Sequence, residues 1–102
     1  MDFGKLKYHV VIKSGNEGLV AKTLRLTLID MRDEAVLSSG GLSELRKKRI
    51  MRLTTEAQKQ GLLLSYEDLN ALLLSSVSTL KRDVNILEKK GYSIPLKGRR
   101  KN

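Results

Sequence analysis

The stretch from Leu64 to Gly91, LSYEDLNALLLSSVSTLKRDVNILEKKG, limits the folds open to this chain more than any other part. Ser65 stands where an N-cap is needed, since its hydroxyl can accept from the free N–H groups of a first helical turn. Asp68, three residues on, offers the returning carboxylate of a capping box. Leu64 and Leu69 flank that cap at the positions of a hydrophobic staple. Leu69, Leu72 and Leu73 then make an apolar stripe two turns long, which Ser75 and Ser76 interrupt. Either serine can cap a second helix, in which Leu80, Val84 and Leu87 recur at spacings of four and three on one buried stripe. Lys89 and Lys90 suit the negative end of that helix, and Gly91 can take the left-handed conformation that stops it.

Two short helices joined by a tight turn leave one face of the second helix open. Ser76, Val77, Ser78, Thr79, Lys81, Arg82 and Asn85 fall there. Their types suit base edges and phosphates: Arg and Lys pair with guanine, Asn with adenine, and Ser or Thr with either. This is the layout of a helix-turn-helix, whose second helix enters the DNA major groove. Asp83 and Glu88 would repel phosphates and are expected to point sideways or to pair with cations. Two positions depart from the usual motif. Asn70 stands where a small residue is expected between the helices, and Leu74 where the turn usually has Gly. An ordinary helical hairpin is the alternative.

Charge points the same way. The 102 residues hold 20 Lys and Arg against 11 Asp and Glu, a net charge of +9. Such a charge favours polyanions and raises their encounter rate. Residues 44–60 carry +4 and residues 81–102 carry +6, whereas residues 61–80 carry −2. Positive charge therefore brackets the first motif helix, as a DNA footprint built from the second helix, the C-terminal tail and one supporting helix requires. A solubilised surface, or a patch for an acidic protein, is the bland alternative.

The supporting helix is expected from Ser43, its N-cap, to Gln60, with Gly61 ending it. Leu45, Ile50, Leu53 and Ala57 share one face, Leu42 and Leu62 to Leu64 add apolar bulk at the ends, and Arg46, Lys47, Lys48, Arg49 and Arg52 occupy the rest. Part of this cationic set could meet phosphates. Ahead of it, residues 7–13 are rich in β-branched and aromatic types, and residues 23–30 alternate apolar and polar, which predicts two strands of a hairpin. A helix over Glu17 to Leu37 is the rival reading, because Val20, Leu24, Leu28, Met31 and Ala35 also follow helical spacing. A short helix from Met31 to Leu37, capped by Asp30, is expected to follow the hairpin. After Gly91, Tyr92, Ile94 and Leu96 alternate with Ser93 and Lys97 like a first wing strand, where Pro95 is acceptable only at an edge or end. Lys97, Arg99, Arg100 and Lys101 then form a basic terminus of the kind that lies along the backbone or enters the minor groove. The chain stops before a second wing strand could form, so either the wing is absent or it continues beyond Asn102.

The segments RIMRLTTEAQKQG (49–61), SYEDL (65–69), STLKRD (78–83) and IPLKG (94–98) resemble a prokaryotic family of unknown function whose members are predicted to carry a winged helix-turn-helix. The resemblance spans roughly residues 23–98 and implies a DNA-binding fold, with no reaction, ligand or target sequence. Members of that family continue past the position of Asn102.

The expected architecture is α+β and mainly helical. A short β-hairpin and helix (1–41) precede a three-helix, winged-helix-like core with a partial wing (42–97) and a basic tail (98–102). No cysteine is present for a disulfide or a thiolate metal site, no 18-residue apolar run is present, and the N-terminus is too short and polar for a signal peptide. One histidine, His9, cannot build the usual zinc sites. Asp30, Asp33 and Glu34 could hold Mg²⁺, but capping and helix-dipole compensation explain them more simply. No catalytic residue, metal or cofactor is expected. The expected function is a cytoplasmic, nucleoid-associated, sequence-specific binder of double-stranded DNA, a transcriptional regulator acting as a homodimer across paired half-sites. The alternatives are an accessory DNA-binding domain of a mobile-element or recombination system and a protein-interaction module with an acidic partner.

Overall fold

Alternation along the first thirty residues resolves into a hairpin. The computed structural model describes residues 4–13 and 18–98. Over them the order is β1 (Lys5–Lys13), β2 (Leu19–Thr27), α1 (Asp33–Lys59), α2 (Tyr66–Leu73) and α3 (Val77–Lys89). β1 and β2 pair antiparallel from Lys5 opposite Thr27 to Lys13 opposite Leu19. Leu24 and Leu26 are buried to 1% exposure or less while Thr23 and Arg25 are exposed, so burial follows a period of two. The rival helix over 17–37 is not formed. The strands begin earlier than expected, and past Thr27 the Gly4 carbonyl accepts from the Leu28 and Ile29 N–H groups, at 2.9 and 3.1 Å, while Arg52 donates to the carbonyls of Thr27 and Leu28, at 2.8 and 2.9 Å.

The two helices anticipated over Met31–Leu37 and Ser43–Gln60 both form, as the two arms of the run Asp33–Lys59, which breaks at Gly41, whose φ of 77° and ψ of −173° leave the helix. Only glycine takes that backbone readily, and a kink follows. Asp30 does not cap the run. It accepts from the Arg32 N–H, its own N–H donates to Asp33, and Arg32 is the N-cap without a side-chain bond. The fold-back is visible in side chains. Asp33 lies 3.2 Å from Arg49 and 3.1 Å from Arg52, whereas sixteen residues of straight helix would separate them by roughly 24 Å.

The core gathers the remaining stripes. Ile50, Leu53 and Ala57 of α1 meet Leu24 and Leu26 of β2, Leu69 of α2, and Leu80, Val84 and Leu87 of α3, and Leu45 is buried as well. Leu42, expected to add apolar bulk, is instead 71% exposed beside the kink. After α3 the chain returns across the core. Ile94 and Leu96 are buried, Leu96 bridges Leu64 in parallel, and the Lys97 N–H donates to the Leu64 carbonyl at 2.8 Å. The wing strand expected over 92–97 is thus a single bridge among the described residues. The apolar alternation there serves to strap the core. No helix among the described residues is long and apolar enough to cross a membrane.

Candidate nucleic-acid interface

Both ends of α2 are fixed by local chemistry. At α2 the capping box forms: Asp68 N–H donates to the Ser65 hydroxyl, and the Ser65 N–H donates to the Asp68 carboxylate at 2.8 Å. The other Asp68 oxygen accepts from the Tyr8 hydroxyl at 2.6 Å, tying β1 to α2. Burial, and then the hydrogen bond and negative charge of Asp68, push that hydroxyl above the usual phenol range. At the far end of α2, Leu74 adopts the left-handed conformation, with φ of 56°. It is the turn position at which Gly is customary, and its backbone confirms that the geometry is the one Gly favours. Asn70, the other departure from the motif, staples this turn. Its carbonyl accepts from Leu74 N–H at 2.8 Å and its amide donates to the Ser75 carbonyl at 2.7 Å.

Of the two candidate serines, Ser76 caps α3. Its hydroxyl accepts from the Thr79 N–H and donates to the Thr79 hydroxyl, at 3.2 and 2.9 Å. Leu80, Val84 and Leu87 point inward as the spacing predicted. Ser76, Ser78, Lys81, Arg82 and Asn85 are exposed, while Val77 and Thr79 are half-buried. Ser78, Arg82 and Asn85 have no side-chain hydrogen bond or ion pair among the described residues. Lys81 lies over the Tyr66 ring, its ammonium 5.7 Å from the centroid, which steadies its stem beside the N-terminus of α2. Lys89 extends the open row by one turn beyond Asn85 and is also exposed. The sequence carries that signal in the i+4 spacing from Asn85, alongside the helix-end charge that Lys89 supplies.

The cations of α1 are distributed differently from expectation. Asp83 is buried, and Arg46 holds both its oxygens, through Nε and, at 3.2 Å, through Nη2. That hydrogen bond and the Asp83 charge hold Arg46 above the usual guanidinium range against the opposing effect of burial. Arg49 and Arg52 converge on Asp33, and Lys47 pairs with Glu44 at 2.8 Å. Burial opposes ionisation of Asp33. The hydrogen bonds of Arg52, the Asp30 N–H and Arg49, with the charge of Arg52, nevertheless hold its carboxyl below the ordinary carboxylate range. Four of the five bases proposed for phosphate contact are therefore paired within the fold, and Lys48 is left exposed. Lys97 is exposed on the strap, while Arg99, Arg100 and Lys101 lie outside the described residues. Among the described residues no group of His, Asp and Glu side chains is arranged to hold a metal ion.

A family model described as a protein of unknown function (DUF1670) matches residues 8–102, taking in most of the hairpin as well as the three helices. No curated protein and no solved structure matches the chain.

Proposed function

Since this chain belongs to the DUF1670 family of proteins of unknown function, we propose its role from its own geometry: it binds double-stranded DNA sequence-specifically, in a binding and not a catalytic role. In this reading α3 lies in the major groove. Arg82 and Lys81 address guanine, Asn85 addresses adenine, and Ser78 and Lys97 meet phosphates. Arg99, Arg100 and Lys101 extend the backbone contact from the tail, and a homodimer presents two such helices to paired half-sites. A cytoplasmic, nucleoid-bound transcriptional regulator is the corresponding cellular role.

One observation carries the reading. The guanidinium groups of Arg46, Arg49 and Arg52 on α1 are consumed inside the fold, yet Arg82 and Asn85 on α3 are exposed without partners among the described residues. A helix with side chains able to hydrogen-bond to bases along one open row, seated on a core by the other face, is what groove reading needs. Selecting bound fragments from a pool of random duplexes and sequencing them tests it. Enrichment of a common site supports the reading, and recovery of unenriched duplex, or of none, contradicts it.

A further inference from the structure

The two edges of the hairpin are treated unequally. Along β2, Gln60 accepts from the Arg25 N–H at 2.8 Å and donates to the Arg25 carbonyl at 2.7 Å. Glu56 accepts from the Thr27 N–H at 2.6 Å, and Arg52 donates to the Thr27 carbonyl at 2.8 Å. α1 side chains thus close this edge as another strand would. Because Arg25 and Thr27 turn their backbone groups away from β1, their partners Lys7 and Lys5 must turn theirs the opposite way. By the same alternation so do His9 and Val11. None of these four has a backbone partner on that side among the described residues.

Side chains beside the open edge have a definite pattern. On the outer face stand Lys5 and Lys7, exposed, with Arg25 directly across from Lys7. Lys5, Leu6, Lys7, Arg25, Thr27 and Glu56 border a cavity of about 220 Å³ that reaches the closed β2 edge, where its one acid, Glu56, is engaged by Thr27. Two cations directly opposite each other cost stability in a sheet, and a neighbouring anion relieves that cost. On the inner face, Leu6, Tyr8 and Val10 are only half-buried although Leu26 and Leu24, paired with the first two, are fully covered. The apolar side of β1 therefore overhangs the core.

We propose that the β1 edge takes up an extended acidic segment of a partner protein as a third strand, its acidic side chains beside Lys5 and Lys7 and its alternate, apolar ones beside Leu6, Tyr8 and Val10. The unpaired N–H and C=O groups of Lys5, Lys7, His9 and Val11 supply the main-chain bonds, as in other strand additions. Charge decides the occupant. A second copy would bring its own Lys5 and Lys7 to the same edge, and like charges repel at cross-strand distance. This surface lies off α3, so it stands or falls independently of DNA binding.

The test uses the full chain and a blocked eight-residue peptide of alternating Glu and Val, with its Lys–Val counterpart as control. Amide exchange read by NMR should show protection of Lys5, Lys7, His9 and Val11 on addition of the acidic peptide, and none with the basic one. Lys5→Glu with Lys7→Glu should weaken binding by about tenfold. N-methylating alternate peptide nitrogens should abolish binding, and that change leaves the folding of the protein untouched. Binding without protection of those four amides would overturn the proposal, as would no binding at all. So would protection that rises with protein concentration in the absence of peptide, which marks a second copy, or protection produced by duplex DNA in place of the peptide.

Discussion

Arg46 of α1 and Asp83 of α3, 37 residues apart in the chain, form a two-pronged ion pair with the carboxylate sealed from solvent. It fixes α3 against α1 at mid-helix, directly behind Lys81, Arg82 and Asn85. Removing the arginine strands a buried carboxylate. Arg46→Ala should therefore cost about 3 kcal/mol, near the lower bound for breaking a buried pair. Replacing both groups by apolar residues, Arg46→Met with Asp83→Leu, should cost clearly less than Arg46→Ala alone, because no uncompensated charge remains. Urea unfolding of the two variants decides it, and an equal or larger loss in the double variant would refute the account of this pair.

Leu74 makes a prediction of the opposite sign. It holds a left-handed backbone and is 89% exposed. A side chain there meets steric cost and returns almost no burial. Leu74→Gly should stabilise the protein by about 0.5–1 kcal/mol, part of the relief being lost to the greater freedom of Gly in the unfolded chain. Thermal melts should shift upward. A lower melting temperature would show that Leu74 contributes packing which its exposure conceals.

Acid should loosen the fold-back at Gly41. The Asp33 carboxyl is held below its ordinary value of 3.8, so its ion pairs with Arg49 and Arg52 stabilise fully above that value. The contribution disappears as pH falls through the lowered folded-state value. Asp33→Asn should cost about 1–3 kcal/mol near neutral pH, the usual worth of hydrogen bonds to a charged group. It should also flatten the decline in stability between about pH 5 and about pH 3. Urea midpoints across that range check both parts, and parallel curves for the two proteins would contradict the assignment.

Local signals were the legible ones. The Ser65–Asp68 box, the stripe of Leu80, Val84 and Leu87, the hairpin and the outward row on α3 each follow from spacing within a few residues. The fate of Arg46, Arg49 and Arg52 was not legible. Whether a cation faces solvent or an internal carboxylate depends on partners sixteen to thirty-seven positions away, and no local period encodes them. That the run doubles back at Gly41 was likewise not legible. The alternation of Ile94 and Leu96 had two outcomes, wing strand or core strap, and the Leu64 backbone selected the second.

Base reading by α3 is the central claim, and affinity for a selected site compared with random duplex measures it most directly. Fluorescence anisotropy on the intact chain should show Arg82→Ala losing about 1–3 kcal/mol on the selected site. With Lys81, Arg82 and Asn85 all changed to alanine, the preference for that site should vanish while weak, salt-sensitive binding to any duplex persists. Undiminished preference in the triple variant, or no duplex binding by the unaltered protein, would contradict the account.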